Sequence, residues 1–225
     1  MNERRAGQAD TYFEKKKLRA GLAALGRSLG ASYIARSDEG IFRMIASFGP
    51  FLEADSIFCY LSRGTEPDTR KLIRLALSLG KKVYCPAIPE KGRMTAVRLT
   101  APDRLKTGMF GIDEPEGCET AGPDEFGFSV VPCLSAAPDG TRLGYGGGYY
   151  DRFFAGTGPV LNAAVLCRER LLSAELPTGE YDVVFGNVIT EERIISAADS
   201  PERRPRAGTH NGEEKGSRDC TENAP

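Results

Sequence analysis

The stretch VVPCLSAAPDGTRLGYGGGYYDRFF, Val130 to Phe154, is the segment from which the rest of the chain can be read. It joins an apolar run, FSVVP (128–132), to a helix-forming segment through a loop in which Gly144, Gly146, Gly147 and Gly148 fill four of five positions. A continuous apolar run of this kind belongs at the centre of a sheet covered on both faces. Glycines at this density free the backbone to take positive φ and to approach a ligand with no Cβ in the way. A helix start beyond them adds unpaired N–H groups and a positive dipole end, so the segment has the makings of a phosphate cradle. It is not a Walker A loop, because GxxxxGK[ST] is absent. Nor is it the dinucleotide fingerprint, because the third glycine position falls on Tyr149. Read from the glycines alone, a flexible turn on a packed sheet is an equal alternative. Arg142 inside the loop favours phosphate, since a guanidinium grips phosphate oxygens in two places.

Outward from this segment, helical and strand patterns alternate. Helices are expected over Thr11 to Leu29, about Ser32 to Phe48, Pro67 to Leu79, from about Gly148, and briefly near Arg168 to Ser173. In the first, Thr11 and Glu14 have capping-box spacing and Leu18, Leu22, Leu25 and Leu29 form one stripe. Strands are expected at SIFCYL (56–61), KVYCP (82–86), MTAVRL (94–99), FSVVP (128–132), PVLNAAVL (159–166), DVVFG (182–186) and NVIT (187–190). This alternation implies an α/β fold with a mainly parallel sheet covered on both faces, whose ligands bind beyond the carboxyl ends of the strands. One domain is expected over residues 11–198, between a flexible segment 1–10 and a tail, 199–225. The tail has no Leu, Ile, Val, Phe, Tyr or Met and is expected to be disordered.

The chain has 225 residues, with 30 Lys+Arg against 31 Asp+Glu, a formal charge of -1. It therefore lacks the broad positive field that drives binding to nucleic acid or to membrane surfaces, and the Arg203–Arg206 run reads as solvated. No apolar stretch reaches the roughly 18 residues of a membrane span. The charged start has no apolar core of a secretory signal. Six scattered cysteines without a CxxC pair exclude a zinc ribbon or thioredoxin-type motif, and free thiols in a reducing cytoplasm are expected. The single histidine, His210, lies in the tail, so a Ser-His-Asp triad, a Cys-His dyad and a His-ligated metal are effectively unavailable. Chemistry must rest on carboxylates, Lys and Arg, backbone amides or a hard cation.

Few residues outside the loop fit that inventory. Lys15 and Arg19 are four apart, on one helix face. A solvated basic face is the ordinary reading, although Leu18 beside them must turn inward. Asp151 falls just inside the loop's helix, where a carboxylate is also a simple dipole partner. Asp182 opens a late apolar strand. If the loop holds a triphosphate, Asp151 is placed to hold Mg²⁺ against it, since such sites use one or two carboxylates plus substrate oxygens and water. Glu66, within LSRGTEP (61–67), sits near a strand's carboxyl end.

KKKLR (15–19), YLSRGTEPDT after the first strand, FGIDEP (110–115) and GTRLGYGGGYYDRFF followed by EYDVV resemble the 5-formyltetrahydrofolate cyclo-ligase (methenyltetrahydrofolate synthetase) family, in order from about Phe13 to Thr190. The resemblance implies a three-layer α/β/α fold similar to the NagB/RpiA/CoA-transferase group. It also implies ATP- and Mg²⁺-dependent conversion of 5-formyltetrahydrofolate to 5,10-methenyltetrahydrofolate with release of ADP and phosphate. By position it assigns Lys15 and Arg19 to phosphate contacts, and Arg142, Leu143, Gly144, Tyr145, Gly146, Gly147, Gly148, Tyr149 and Tyr150 to the ATP loop. Asp151 and Asp182 match Mg²⁺ ligands, and Leu61 and Glu66 match folate contacts. Phe110 stands where the family often has a pterin-lining Trp; it keeps a stacking face and lacks the N–H donor. Partners implied are small molecules only, acting on a monomer or weak homodimer in the cytoplasm. A non-catalytic folate- or nucleotide-binding protein and a sugar-phosphate isomerase are the alternatives on such a fold.

Overall fold

The structure is a computed structural model that describes residues 2–157 and 160–200, with side chains from Thr11 onward. His210, Cys220, the Arg203–Arg206 run and nearly all of the expected tail lie outside the described residues. Two long helices open the chain, α1 (Asn2–Ser28) and α2 (Ala31–Ala46), followed by the short α3 (Gly49–Glu53). Strand β1 (Ser56–Cys59) leads through α4 (Arg70–Ser78) to β2 (Lys82–Glu90), which turns back as β3 (Arg93–Leu99). A two-stranded flap, β4 (Leu105–Thr107) with β5 (Asp113–Pro115), and the short β6 (Thr120–Ala121) precede β7 (Phe128–Pro132). A second small ribbon, β8 (Ser135–Ala136) with β9 (Arg142–Leu143), carries the chain to α5 (Tyr149–Phe153). The strands β10 (Val160–Leu166), β11 (Phe185–Ile189) and β12 (Ile194–Ser196) follow.

The main sheet runs β12-β11-β10-β7-β1-β2-β3-β6. From β11 to β2 every pairing is parallel, and the antiparallel strands β12, β3 and β6 lie outside that block. Side chains of the central strands alternate between two apolar layers. Ile57, Cys59, Phe128, Val130, Ala164 and Leu166 pack with Ile41 and Ile45 of α2, Phe51 of α3 and Leu72 of α4. Phe58, Val131, Ala163 and Val165 point the other way, toward Phe154, Phe185 and Leu171. Both layers are apolar, which is why FSVVP reads as a continuous run although it alternates in space.

Several boundaries differ from the sequence reading, each for a local reason. α1 runs back to Asn2 through the positions expected to be flexible, so Thr11 and Glu14 fall inside the helix and not at its start. α4 starts at Arg70, because Pro67 and Thr69 are tied back to β1. Tyr60 Oη donates to the Pro67 carbonyl at 2.8 Å, and Thr69 Oγ1 donates to the Tyr60 carbonyl at 2.7 Å. The helix expected near Arg168 is a single 3₁₀ turn, Glu169–Leu171. The two strands expected over 182–190 are one, β11, and Asp182 precedes it in a turn in which the Gly179 N–H donates to its carboxylate at 2.7 Å.

The order of connections places the site. β1 hands the chain to β2 on one side, whereas β7 hands it to β10 and β11 on the other. Loops leaving the carboxyl ends of the neighbours β1 and β7 therefore diverge and open a crevice between them, where ligands bind in folds of this type.

Candidate active site

A cavity of about 1670 Å³ occupies that crevice. After β1 it is lined by Tyr60, Leu61 and Arg63–Glu66, and after β7 by Pro132 and the segment from Arg142 to Arg152. Lys15 and Arg19 of α1, Phe110 of the flap loop, and Asp182 also reach it, so every candidate residue from the sequence lines one space.

α1 is seated by two leucines of the expected stripe, while Leu25 is left exposed and Leu29 falls just past the helix. Leu18 and Leu22, one turn apart, pack on Ala137, Leu143 and Leu176, which turns Lys15 and Arg19 to the cavity. Lys15 is 9% exposed, so this face is not the solvated one expected of a basic helix. Its Nζ is bonded to the Asp182 carboxylate, and Arg19 Nε donates to the Gly144 carbonyl at 2.9 Å. Arg152 NH2 likewise donates to the Gly147 carbonyl at 2.8 Å. Two arginines thus hold loop carbonyls, while the N–H groups of Gly146, Gly147 and Gly148 take no part in the described hydrogen bonds. Gly146 (φ +98°) and Gly148 (φ +64°) adopt the left-handed conformation that favours glycine. The helix after the loop, α5, has only five residues, so the cradle rests on individual amides more than on a long helix dipole.

Arg142 differs from its expected place on a free loop. It belongs to β9, pairs with Ala136 across the ribbon, and has a side chain only 4% exposed. The turn that delivers it is fixed at Gly140 (φ +85°), where a Cβ would lie 2.0 Å from the Phe185 carbonyl oxygen. The guanidinium sits 5.4 Å from the Tyr150 ring and 5.2 Å from the Phe185 ring, both within cation–π range. Its NH2 donates to Asp151 Oδ1 at 2.9 Å, and its Nε is buried with no partner. Leu143, at 1% exposed, can offer a ligand only its backbone. Burial also pushes the Tyr150 phenol well above its ordinary pKa, leaving it a neutral donor.

The cations and carboxylates of this wall neutralise one another as Lys15–Asp182 and Arg142–Asp151 pairs. The Val183 N–H reaches Asp151 Oδ1 at 3.4 Å, so the turn carrying Asp182 adjoins Asp151. Among the described residues no group of three or more His, Cys, Asp or Glu side chains could hold a metal ion. Two carboxylates are the donor set on offer, and they match the kind of site in which Mg²⁺ takes its other ligands from phosphate and water.

The remaining lining is largely apolar and carries two acids, the half-buried Glu66 and the buried Glu114 of β5. Glu66 Oε2 accepts from the Arg63 N–H at 2.8 Å, and burial raises the carboxyl above the ordinary 4.5. Phe110 is 58% exposed at the rim and has φ +62°, the single non-glycine with positive φ among the described residues. Such a backbone costs on the order of 1 kcal/mol or more and collects at ligand-binding sites. The sequence reading passed over Pro86, Ile88 and Met94 of the β2–β3 hairpin and Ile112 of the flap, which complete this wall. Alternation in MTAVRL was the available signal, since Met94 and Ala96 share the inward face. Arg152 was also passed over. It stacks 5.2 Å from the Tyr149 ring, and its Nε ties the Gly92 carbonyl of the hairpin tip to the glycine loop.

A mainly parallel, doubly wound sheet with a glycine-lined and cation-flanked crevice at its switch point defines an α/β protein with a ligand site between β1 and β7. A sequence model of the 5-formyltetrahydrofolate cyclo-ligase family matches residues 12–191, and the chain belongs to that family. A Caenorhabditis elegans protein named "Probable 5-formyltetrahydrofolate cyclo-ligase" is 29% identical over 197 residues, covering 80% of this chain and 94% of its own. The 5-formyltetrahydrofolate cyclo-ligase of Mycolicibacterium smegmatis is 29% identical over 150 residues, covering 63% and 76%. The fold is that of the Aquifex aeolicus 5,10-methenyltetrahydrofolate synthetase, with TM-score 0.74 and 24% identity over 88% of this chain and 99% of that one. No described helix is long and apolar enough to cross a membrane.

Proposed function

We propose that the chain converts 5-formyltetrahydrofolate to 5,10-methenyltetrahydrofolate with ATP, releasing ADP and phosphate. One observation carries the reading: the glycine loop with its three cations and the Glu66–Phe110–Leu61 lining share a single cavity at the switch point. The formyl oxygen of an N-formyl amide is a weak nucleophile and a poor leaving group. Transfer of the γ-phosphoryl group to it gives an iminium phosphate; N10 then attacks the activated carbon and phosphate departs as the five-membered ring closes. Phosphoryl transfer demands positioning and charge stabilisation more than a protein nucleophile, which suits a site with no histidine among its described lining residues.

In this reading Lys15, Arg19 and Arg142 receive the phosphates, and the amides of Gly146 to Gly148 line their path. Buried between two rings, Arg142 holds its charge in fixed orientation at low local dielectric, where preorganised charge acts most strongly. Glu66 accepts hydrogen bonds from the pterin edge, Phe110 stacks on the pterin and Leu61 packs beside it. Asp151 and Asp182 would hold Mg²⁺, which when bound supplies charge neutralisation between the phosphates. The protein is proposed to act in the cytoplasm as a monomer or weak homodimer, although an Arabidopsis thaliana relative is named mitochondrial.

Mixing the purified protein with 5-formyltetrahydrofolate, ATP and Mg²⁺ tests this directly. The near-ultraviolet absorbance of the methenyl product is expected to grow, and to stay flat when any one component is omitted. Binding of both ligands without product would instead favour a non-catalytic binding protein. Turnover of a sugar phosphate without nucleotide would favour an isomerase.

A further inference from the structure

We propose that Arg168 is a positioning residue for the folate side of the site, acting through the loop that carries Glu66; the inference rests on the reading of Glu66 given above. Arg168 follows β10, two strands away from β1 in the sheet, and is 1% exposed. Every nitrogen of its guanidinium is engaged. Nε donates to the Thr65 carbonyl at 3.1 Å, NH1 to the Ile34 carbonyl at 3.3 Å and NH2 to the Glu66 carbonyl at 3.1 Å. NH2 also pairs with Asp38 Oδ1 at 2.9 Å, on α2. One side chain therefore ties the start of the β10–β11 connection to α2 and to the tip of the loop after β1.

The loop's own bonds show why an outside tie matters. Its base is closed internally: the Ser62 N–H donates to Thr69 Oγ1 at 3.2 Å, and Ser62 Oγ donates to Asp68 Oδ1 at 2.9 Å. Asp38 Oδ1 accepts from the Asp68 N–H at 3.1 Å, extending the clamp to the base. The tip's own backbone bonds form a local turn, in which the Glu66 N–H donates to the Arg63 carbonyl at 3.1 Å and the Arg63 N–H to the Glu66 carboxylate, which Tyr145 also reaches by its side chain. That turn sets the shape of residues 63–66 but not their place relative to the sheet. Arg168 sets the place, by fixing the carbonyls of the two residues that end with Glu66. A buried guanidinium is costly to desolvate, and its benefit is geometric: a planar fork holds several acceptors in one orientation. The glycine loop leaves β7 by a different path and makes none of the Arg168 bonds; it meets the clamped loop through the Tyr145 phenol, which is hydrogen-bonded to the Glu66 carboxylate.

Arg168→Lys keeps the charge and loses the fork. Calorimetry of wild type, Arg168→Lys, Glu66→Gln and the double variant, with 5-formyltetrahydrofolate and ATP titrated separately, forms a double-mutant cycle. We expect folate to bind about tenfold more weakly to Arg168→Lys than to wild type and ATP to bind within about twofold. In the Glu66→Gln background the same change should add less than about twofold, because the group it positions is already altered. Asp38→Asn, which spares all three backbone bonds of Arg168, should show the same pattern at smaller size and decides the matter if Arg168→Lys does not fold. ATP affinity falling in step with folate affinity, or an equal folate penalty in both Glu66 backgrounds, would make Arg168 a general structural pin and overturn the inference. Those results in a protein that still turns over 5-formyltetrahydrofolate would leave the proposed function standing; a wild type with no folate affinity would remove both.

Discussion

Replacing Asp182 by asparagine separates two roles that its carboxylate combines. The carboxylate neutralises Lys15, whose side chain is 11% exposed, and accepts from the Gly179 N–H at 2.7 Å. The amide keeps an acceptor for Gly179 and removes the charge. Nucleotide arriving without metal must displace Asp182 from Lys15 and then sit beside a carboxylate of its own sign. A hydrogen bond to a charged group contributes about 1.5–3 kcal/mol. Asp182 is 26% exposed and partly screened, so the lower end applies. About 1.4 kcal/mol is a factor of ten, which sets the expected gain in metal-free ATP affinity at roughly tenfold. With Mg²⁺ present the sign should reverse, since the variant lacks a carboxylate proposed to hold the metal. Isothermal titration of ATP in EDTA and in excess Mg²⁺, without folate, reads both numbers on one preparation. An Asp182→Asn variant that binds metal-free ATP no better than wild type would refute the charge-exchange account of this wall.

Other outcomes follow from the same geometry. Arg142→Met keeps most of the volume between Tyr150 and Phe185 and removes the charge; kcat should fall about a hundredfold, the loss of about 3 kcal/mol expected for one preorganised donor. An unchanged kcat would take Arg142 out of the site, and a thermal melt separates this from unfolding. Phe110→Ala should raise KM for folate two- to tenfold, matching the roughly 0.5–1.5 kcal/mol of an aromatic pair. Phe110→Gly should show the same KM and a higher melting temperature than Phe110→Ala, because it relieves the positive φ; equal melting temperatures would argue against strain there. Because burial raises the Glu66 pKa above 4.5, the carboxylate is protonated sooner than an ordinary one as pH falls. Folate affinity should therefore decline on acidification from a pH above that of a free glutamate. The same raised pKa makes protonation favour the folded state, so stability contributed by Glu66 grows as pH falls. A Glu66→Gln protein with the same pH-dependence of folate affinity would assign the effect to another group.

The amino-acid sequence settled the class of fold. Alternating apolar strands and amphipathic helices require a covered parallel sheet, and FSVVP is apolar throughout because both faces of β7 are buried. The glycine loop was equally legible, since four glycines in five positions have a meaning that does not depend on what packs nearby. Boundaries near long-range ties were not. Asp182 and the residues ahead of α4 took their conformations from Gly179, Asp151 and Tyr60, partners that residue patterns do not reveal. Tertiary structure alone decided that Lys15, on a helix that looks solvated, is buried against a carboxylate 167 residues away. It alone enclosed Arg142 between two rings, and it alone put Arg168 under the Glu66 loop from across the sheet. The physical reason is one of range. Hydrophobic period and backbone propensity act over a few residues, whereas a charge in a low-dielectric interior is defined by whatever the fold brings within a few ångströms of it.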